Sequence, residues 1–254
     1  MQISDIPIGW LLLDIERNKK EDGRWKLSEI ALIDSGEQYH NRNLKQSASG
    51  LIFRKIGNAR IILGHNIRRH DLPKLYKSVG KQLPSSLDVK ICDTLELSAL
   101  FLVGEQTHRL SKLYRQELGF SNPSEDAWES FELYQKIEKS SKALPPLVCY
   151  WAWQLLPDGY PLLLISEGEL LNDWKNLEEK FPDADIKALQ KYVETIPKKP
   201  NINNLGIIIF LNWLYHLDKP LAHRPKWVEE TFPQFREAEA ITFPFLSQDY
   251  FLDK

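Results

Sequence analysis

The stretch that most constrains this chain is Trp10-Leu11-Leu12-Leu13-Asp14-Ile15-Glu16. An apolar run between Gly9 and the polar Arg17 to Glu21 segment reads as a fully buried strand with a central place in a sheet. Its far end carries two carboxylates. At a strand's period of two, Asp14 and Glu16 project to the same face, about 6–7 Å apart along the chain. Neighbouring buried negative charges repel and lose solvation, and a divalent cation relieves both penalties. The alternative is that the strand ends at Leu13 and the charged residues form a solvated loop. Further ligands elsewhere in the chain decide between the two.

A chain of 254 residues can form one domain with a large extension, or two domains. A net charge of -2 neither demands nor excludes a nucleic-acid partner. Local charge says more. Arg54, Lys55, Arg60, Arg68, Arg69, Lys74, Lys77 and Lys81 have only Asp71 as an acidic neighbour among them. Such a segment can present positive potential to a polyanion, or simply form solvated helix faces. Cys92 and Cys149 are the only cysteines, which argues for a reducing compartment and against a thiolate metal site. Residues 1–8 do not read as a signal peptide, and apolar runs such as Leu205 to Leu211 are too short to span a bilayer. The expectation is a soluble cytoplasmic protein with no membrane partner.

Along the chain, Arg17 to Gly23 reads as a hairpin or loose turn. Trp25 to Ile33 reads as a second strand closed by Asp34-Ser35-Gly36, with Glu29 hydrogen-bonded near the first strand's carboxylates or on a solvated sheet face. Residues 37–50 suggest loop or a short irregular strand, 49–56 a short helix or strand, and 60–63 a third apolar strand ended by Gly64-His65-Asn66. Leu72, Leu75, Tyr76 and Val79 recur at helical spacing. Leu87 to Cys92 alternates like a strand, after which Asp93-Thr94 can cap a helix over 95–102. Leu110 to Leu118 and a segment opening at Asn122-Pro123 with Trp128, Phe131, Tyr134 and Ile137 give two more helices. Strand and helix in alternation make residues 1–145 an α/β domain. Ser140 to Pro146 is linker-like, and residues 146–254 read as a mainly helical extension without a motif that carries chemistry.

Asp71 and Asp126 each fall near the start of a predicted helix, where acidic residues are common for capping and dipole reasons. With Asp14 and Glu16 they form a set that can converge at the end of the sheet. Four carboxylates at one spot are strongly destabilising unless metal ions neutralise them.

The ordered landmarks resemble the DnaQ-like, or DEDD, superfamily of 3′-to-5′ exonucleases, with a ribonuclease H-like mixed sheet flanked by helices. The apolar strand ending in Asp14-Ile15-Glu16 resembles its first motif, and Ser28-Glu29-Ile30-Ala31-Leu32-Ile33 its following strand. Gly64-His65-Asn66 with Asp71-Leu72 resembles the second motif, with one residue more than usual between Asn66 and Asp71. Asp93-Thr94-Leu95, His108 to Leu113 and Asp126-Ala127 match the remaining landmarks, so the likeness covers residues 10 to about 137.

The resemblance implies two Mg²⁺ or Mn²⁺ ions. Asp14 would bridge them, Glu16 and Asp126 would complete one shell, and Asp71 would hold the second, all-oxygen ligation suiting such hard cations. It also implies single-stranded 3′ ends as partner and Ile15 and Asn66 lining the terminal-nucleotide pocket. Arg68, Arg69 and Lys74, which follow the second motif, are candidates for backbone-phosphate contact or else form a solvated helix face. One departure stands out. The family's base lies five or four residues before the last aspartate, where this chain has Ser121 and Asn122, neither able to take a proton near neutral pH. His70 and Glu125 are the candidate substitutes. The expected function is terminal phosphodiester hydrolysis of DNA; the alternative is a catalytically impaired module that binds nucleic-acid ends or a protein partner. Arg224 to Val228 with Phe232-Pro233 faintly resembles segments that join an exonuclease module to a helicase, making a linked or associated helicase the further expected partner.

Overall fold

The computed structural model of the protein describes residues 2–19, 23, 25–42, 49–103, 105, 107–112, 122–141, 144, 148 and 152. The chain divides into two compact units, and the sheet and the acidic residues belong to the first, which includes Met1–Leu97 and Arg109–Ile137. Apart from Val148 and Ala152, the predicted extension lies outside the described residues.

The expected mixed α/β sheet flanked by helices is present. Five strands, β1 (Trp10–Lys19), β2 (Trp25–Ile33), β3 (Gln38–Asn41), β4 (Ile61–Gly64) and β5 (Ile91–Asp93), lie in the order β3-β2-β1-β4-β5. β1 pairs antiparallel with β2 and parallel with β4, so the strand with the two carboxylates is the central one. The α-helices among the described residues are α1 (Ser49–Asn58), α2 (Leu72–Ser78), α3 (Thr94–Phe101) and α4 (Pro123–Ser140). None is long and apolar enough to cross a membrane.

Alternation along β1 divides the core. Leu11, Leu13 and Ile15 pack in one cluster with Ile52 and Ile56 of α1 and Leu72, Leu75 and Tyr76 of α2. The even-numbered residues turn to the other face, where the Trp10 ring meets Tyr134 of α4 edge-on at 4.9 Å. Asp126 and Tyr134 are eight residues apart, about 12 Å along a helix. Trp10 and Asp14 are four apart, about 13 Å along a strand. With Tyr134 fixed on Trp10, the start of α4 therefore reaches the level of Asp14.

Three departures from the sequence reading have local causes. β1 does not turn after Glu16 but runs to Lys19, because Arg17, Asn18 and Lys19 find ladder partners in Leu27, Lys26 and Trp25. Residues 85–90 form a 3-10 helix, and the strand expected over 87–92 is reduced to Ile91–Asp93, the residues that pair with β4. Residues 107–112 are not helical, and the rest of the helix expected there lies outside the described residues.

The extra residue between Asn66 and Asp71 is absorbed as one turn of π-helix over Ile67–Asp71, closed by the Leu72 N–H donating to the Ile67 carbonyl. A π turn holds one residue more than an α turn, so α2 still presents Leu72, Leu75 and Tyr76 to the core. The approach to this turn needs Gly64. A Cβ there would stand 2.6 Å from the Leu13 carbonyl oxygen and 2.9 Å from the Ile67 side chain. Asn66 follows in the left-handed region at φ 59°, which asparagine tolerates better than most residues.

Urea denaturation is expected to show Gly64→Ala losing about 1–3 kcal/mol, since the backbone carbonyl in its path cannot yield. Gly57→Ala, in α1 with nothing within 4 Å of the added Cβ, is the control and is expected to be neutral or slightly stabilising.

Candidate metal centre

β4 pairs with β1 only from Trp10 to Leu12. Beyond that point the π turn packs against β1 in place of a strand, and the Asp71 charge at its end acts on Asp14. Asp93, at the end of β5, holds the crossing. Its carboxylate accepts the Asn66 N–H at 2.9 Å, the Arg68 N–H at 3.0 Å and the Leu95 N–H at 3.0 Å. Burial and then the Glu96 charge push the Asp93 carboxyl up to about 7 despite these bonds. On the other side, Asn122 caps α4 by accepting the Ser124 N–H at 3.0 Å, and Pro123 follows at the first helical position, so Asp126 falls in the first turn.

Asp14, Glu16 and Asp126 each bring a carboxylate oxygen within 4.8 Å of the others. Asp126 is 1% exposed, Asp14 8% and Glu16 half-buried. Burial first, then the charges of Asp71, Asp126 and Glu16, raise the Asp14 carboxyl well above the usual carboxylate range, and the Lys112 charge opposes them. Asp71 is not one of the three and acts on Asp14 through its charge. Its own carboxyl is raised by burial, and the raising is countered by the His70 Nδ1–H, which donates to Oδ1 at 2.7 Å.

Oδ2 of Asp14 and Oδ2 of Asp71 are buried and have no hydrogen-bond partner among the described residues. Buried carboxylate oxygens without donors are costly, and a hard cation satisfies them. The donor set is all oxygen, as Mg²⁺ or Mn²⁺ requires. One resident cation is already present: the Lys112 ammonium donates to Asp126 Oδ2. Lys112 adopts φ 51°, and its N–H donates to Glu129 Oε2 at 2.8 Å, fixing the loop against α4.

The remaining predicted residues separate. His70 is tied to Asp71, and Glu125 is exposed on α4 beside its buried neighbour Asp126. Arg69 is exposed and Lys74 half-buried. Burial and then the Arg17 charge lower the Lys74 ammonium, with Asp71 opposing, so Arg17, Lys74 and Asp71 lie near one another.

Arg68 is a correction. Its side chain is buried, with Nε donating to Glu96 Oε2 at 3.2 Å and Nη2 to the Ile91 carbonyl at 3.1 Å, so it braces β5 and cannot meet a phosphate. Ile15 is another: at 5% exposure it belongs to the α1/α2 core on the face opposite Asp14. Asn66 is placed by its backbone bond to Asp93. Lys55, counted in the basic segment, is held by Asp34 and Glu37 at 2.6 Å each. Ser121 lies outside the described residues.

Residues not singled out by the sequence also line the site. The β1–β2 register passes from Glu16↔Glu29 to Arg17↔Leu27, leaving Ser28 as the extra residue of a bulge. Beside it a cavity of about 430 Å³ is lined by Glu16, Ser28, Glu29, His40, Arg42 and Asn122, among others. Glu29 is hydrogen-bonded, as one of its two expected readings had it, to His40. No protein-family model, curated protein or solved structure matches the chain.

Asp14 titrates upward on folding, so its ionisation costs stability as pH rises from the unfolded carboxylate range through its folded value. Asp14→Asn is therefore expected to stabilise the metal-free protein at pH 7 by about 0.5–2 kcal/mol, read as a higher melting temperature. The gain should shrink toward pH 4, where the wild-type carboxyl holds its proton. Millimolar Mn²⁺ should stabilise wild type and leave the variant unmoved; equal melting shifts in both would remove Asp14 from the ligand set.

Proposed function

We propose that the protein is a metal-dependent 3′-to-5′ exonuclease that hydrolyses terminal phosphodiesters of DNA, as its resemblance to the DnaQ-like superfamily implies. The observation that carries this reading is the meeting of Asp14, Glu16 and Asp126 within 4.8 Å, on a face that also feels the Asp71 charge. Two hard cations bound there would polarise a water and offset charge on the leaving 3′ oxygen.

The chain's own residues do the rest. Asp14 and Glu16 on β1 and Asp126 on α4 supply ligand oxygens, and Asp71 supplies more from the π turn. His70 orients Asp71 through its 2.7 Å hydrogen bond. Arg17 and Lys74, whose like charges act on one another while Asp71 opposes them, give positive potential to the phosphates of a single-stranded 3′ end, with Arg69 exposed nearby in sequence. These contacts are independent of base identity and sensitive to salt. A nucleic-acid motor attached to or associated with the chain would deliver such ends.

A second reading has its own observation. The Lys112 ammonium already pairs with the carboxylate that would face a cation, and Asn122 is used as a cap rather than a base. On this reading lysine is the permanent counter-ion of a silent module that binds nucleic-acid ends or a protein partner.

Degradation of a 3′-labelled single strand in Mn²⁺ at pH 7–9 tests the first reading. Wild type is expected to shorten it, and Asp14→Asn to lose about 10³-fold or more, since metal-ion stabilisation amounts to several kcal/mol and each 1.36 kcal/mol is tenfold. No product above the variant's background would sink the enzyme.

Calorimetry separates the two readings. The exonuclease binds Mn²⁺ as wild type, more tightly as Lys112→Met, and loses the heat as Asp126→Ala. The silent module shows no heat until Lys112 is replaced.

A further inference from the structure

The cavity beside Glu16 has the volume of a small-ligand site, about 430 Å³, and its wall carries a carboxylate–imidazole pair. His40 Nε2 is 2.9 Å from Glu29 Oε2. Both side chains remain partly open to water, at 20% and 27% exposure. With the carboxylate accepting the Nε2–H, the neutral ring is fixed in the tautomer whose Nδ1 lone pair can take a proton.

The sheet sets where this pair stands. His40 pairs with Ala31, and Ala31 with Asp14, so the three form one row across β3, β2 and β1 on a single face. Two strand spacings separate Asp14 from His40, about 10 Å between backbones. In the next row Glu16 pairs with Glu29. A metal-ligand candidate and a proton acceptor thus occupy opposite strands of the face on which α4 places Asp126. Asn122, committed as the cap of α4, lines the same cavity.

We propose that His40, oriented by Glu29, is the general base of the hydrolysis, moved from the start of α4 to β3. The proposal rests on the exonuclease reading. The oxygen of a water bonds to the terminal phosphorus as the bond from phosphorus to the 3′ oxygen breaks. The water's proton passes to His40 Nδ1. The electron pair of the broken bond stays on the 3′ oxygen, which takes a proton from solvent. Besides Glu29, the charged groups facing this space among the described residues are Glu16 from β1 and Arg42, whose Nε is 4.0 Å from Glu29 Oε2; Arg42 is exposed and able to meet the entering phosphate.

Single-turnover hydrolysis of a 3′-labelled strand in Mg²⁺, with Mn²⁺ calorimetry and a melting curve for each protein, compares wild type with His40→Ala, His40→Gln and Asp14→Asn. Glutamine keeps a donor toward Glu29, so it reports on the ring even where alanine fails to fold. Both His40 variants are expected to lose about 10²–10⁴-fold in rate with Mn²⁺ affinity held within about twofold. Added imidazole is expected to recover activity in His40→Ala and not in Asp14→Asn.

Rates for the folded His40 variants within about threefold of wild type overturn the base and leave the exonuclease standing. So does a loss in folded His40→Ala that imidazole does not repair. Wild type no faster than Asp14→Asn overturns the exonuclease reading and the base with it.

Discussion

A carboxylate on the central strand of a buried sheet has to be compensated, and the structure around Asp14 is organised by that need. Its burial and three further carboxylates all push its proton affinity upward, and Lys112 pulls the other way. An arrangement like this lowers the stability of the protein on its own. It makes physical sense where a cation of higher charge than an ammonium completes the balance, because a buried oxygen without a donor costs more than a hydrogen bond returns. Asp93 shows the contrast. It is as deeply buried as Asp14, yet its oxygens accept three backbone N–H groups and it serves as a structural clamp. Burial alone does not distinguish the two aspartates; the presence or absence of donors does.

Much of the fold was legible because period and punctuation agreed. β1 and β2 were visible as apolar runs, and α4 as Asn-Pro followed by apolar residues at helical spacing. The misreadings occurred where pairing overrode local pattern. Arg17, Asn18 and Lys19 have the composition of a turn, but cross-strand partners on β2 extend the ladder through them. Leu87 to Lys90 alternate like a strand, yet only Ile91, Cys92 and Asp93 lie opposite β4, and without a partner the alternation did not become β structure. The bulge at Ser28 was invisible because it is a property of two strands. Its effect is to return Leu27 to the core face that simple alternation from Ile30 would deny it.

The site was legible in part for the same reason. Asp14 and Glu16 followed from strand periodicity, whereas the arrival of Asp126 depended on the match in length between α4 and β1, a tertiary fact. Arg68 looks solvated in sequence as a guanidinium beside Arg69 and His70, while its partners Glu96 and the Ile91 carbonyl lie more than twenty residues away. Motif position points Ile15 toward the site, and the period of two sends it into the core. Lys112 and His40 gave no signal. One reaches the site from an irregular loop at positive φ, the other from a four-residue strand in a polar stretch.

The π turn shows how a departure in spacing can leave a site intact. An additional residue in a continuous α-helix rotates everything after it by about 100°, which would carry Leu72, Leu75 and Tyr76 off the sheet. The wider turn takes up the residue within Ile67–Asp71, and α2 keeps its apolar face on the core. The strain falls on the entry instead, where only glycine fits against the Leu13 carbonyl and Asn66 must turn left-handed. Those two positions are held by Asp93 and by the close approach of β1, the same strand that carries Asp14. The insertion is therefore absorbed between two rigid supports, and its one chemical consequence is His70, left adjacent to Asp71 with its ring donating to the carboxylate. That bond partly offsets the charge of Asp71 without occupying Oδ2, the oxygen that still lacks a donor.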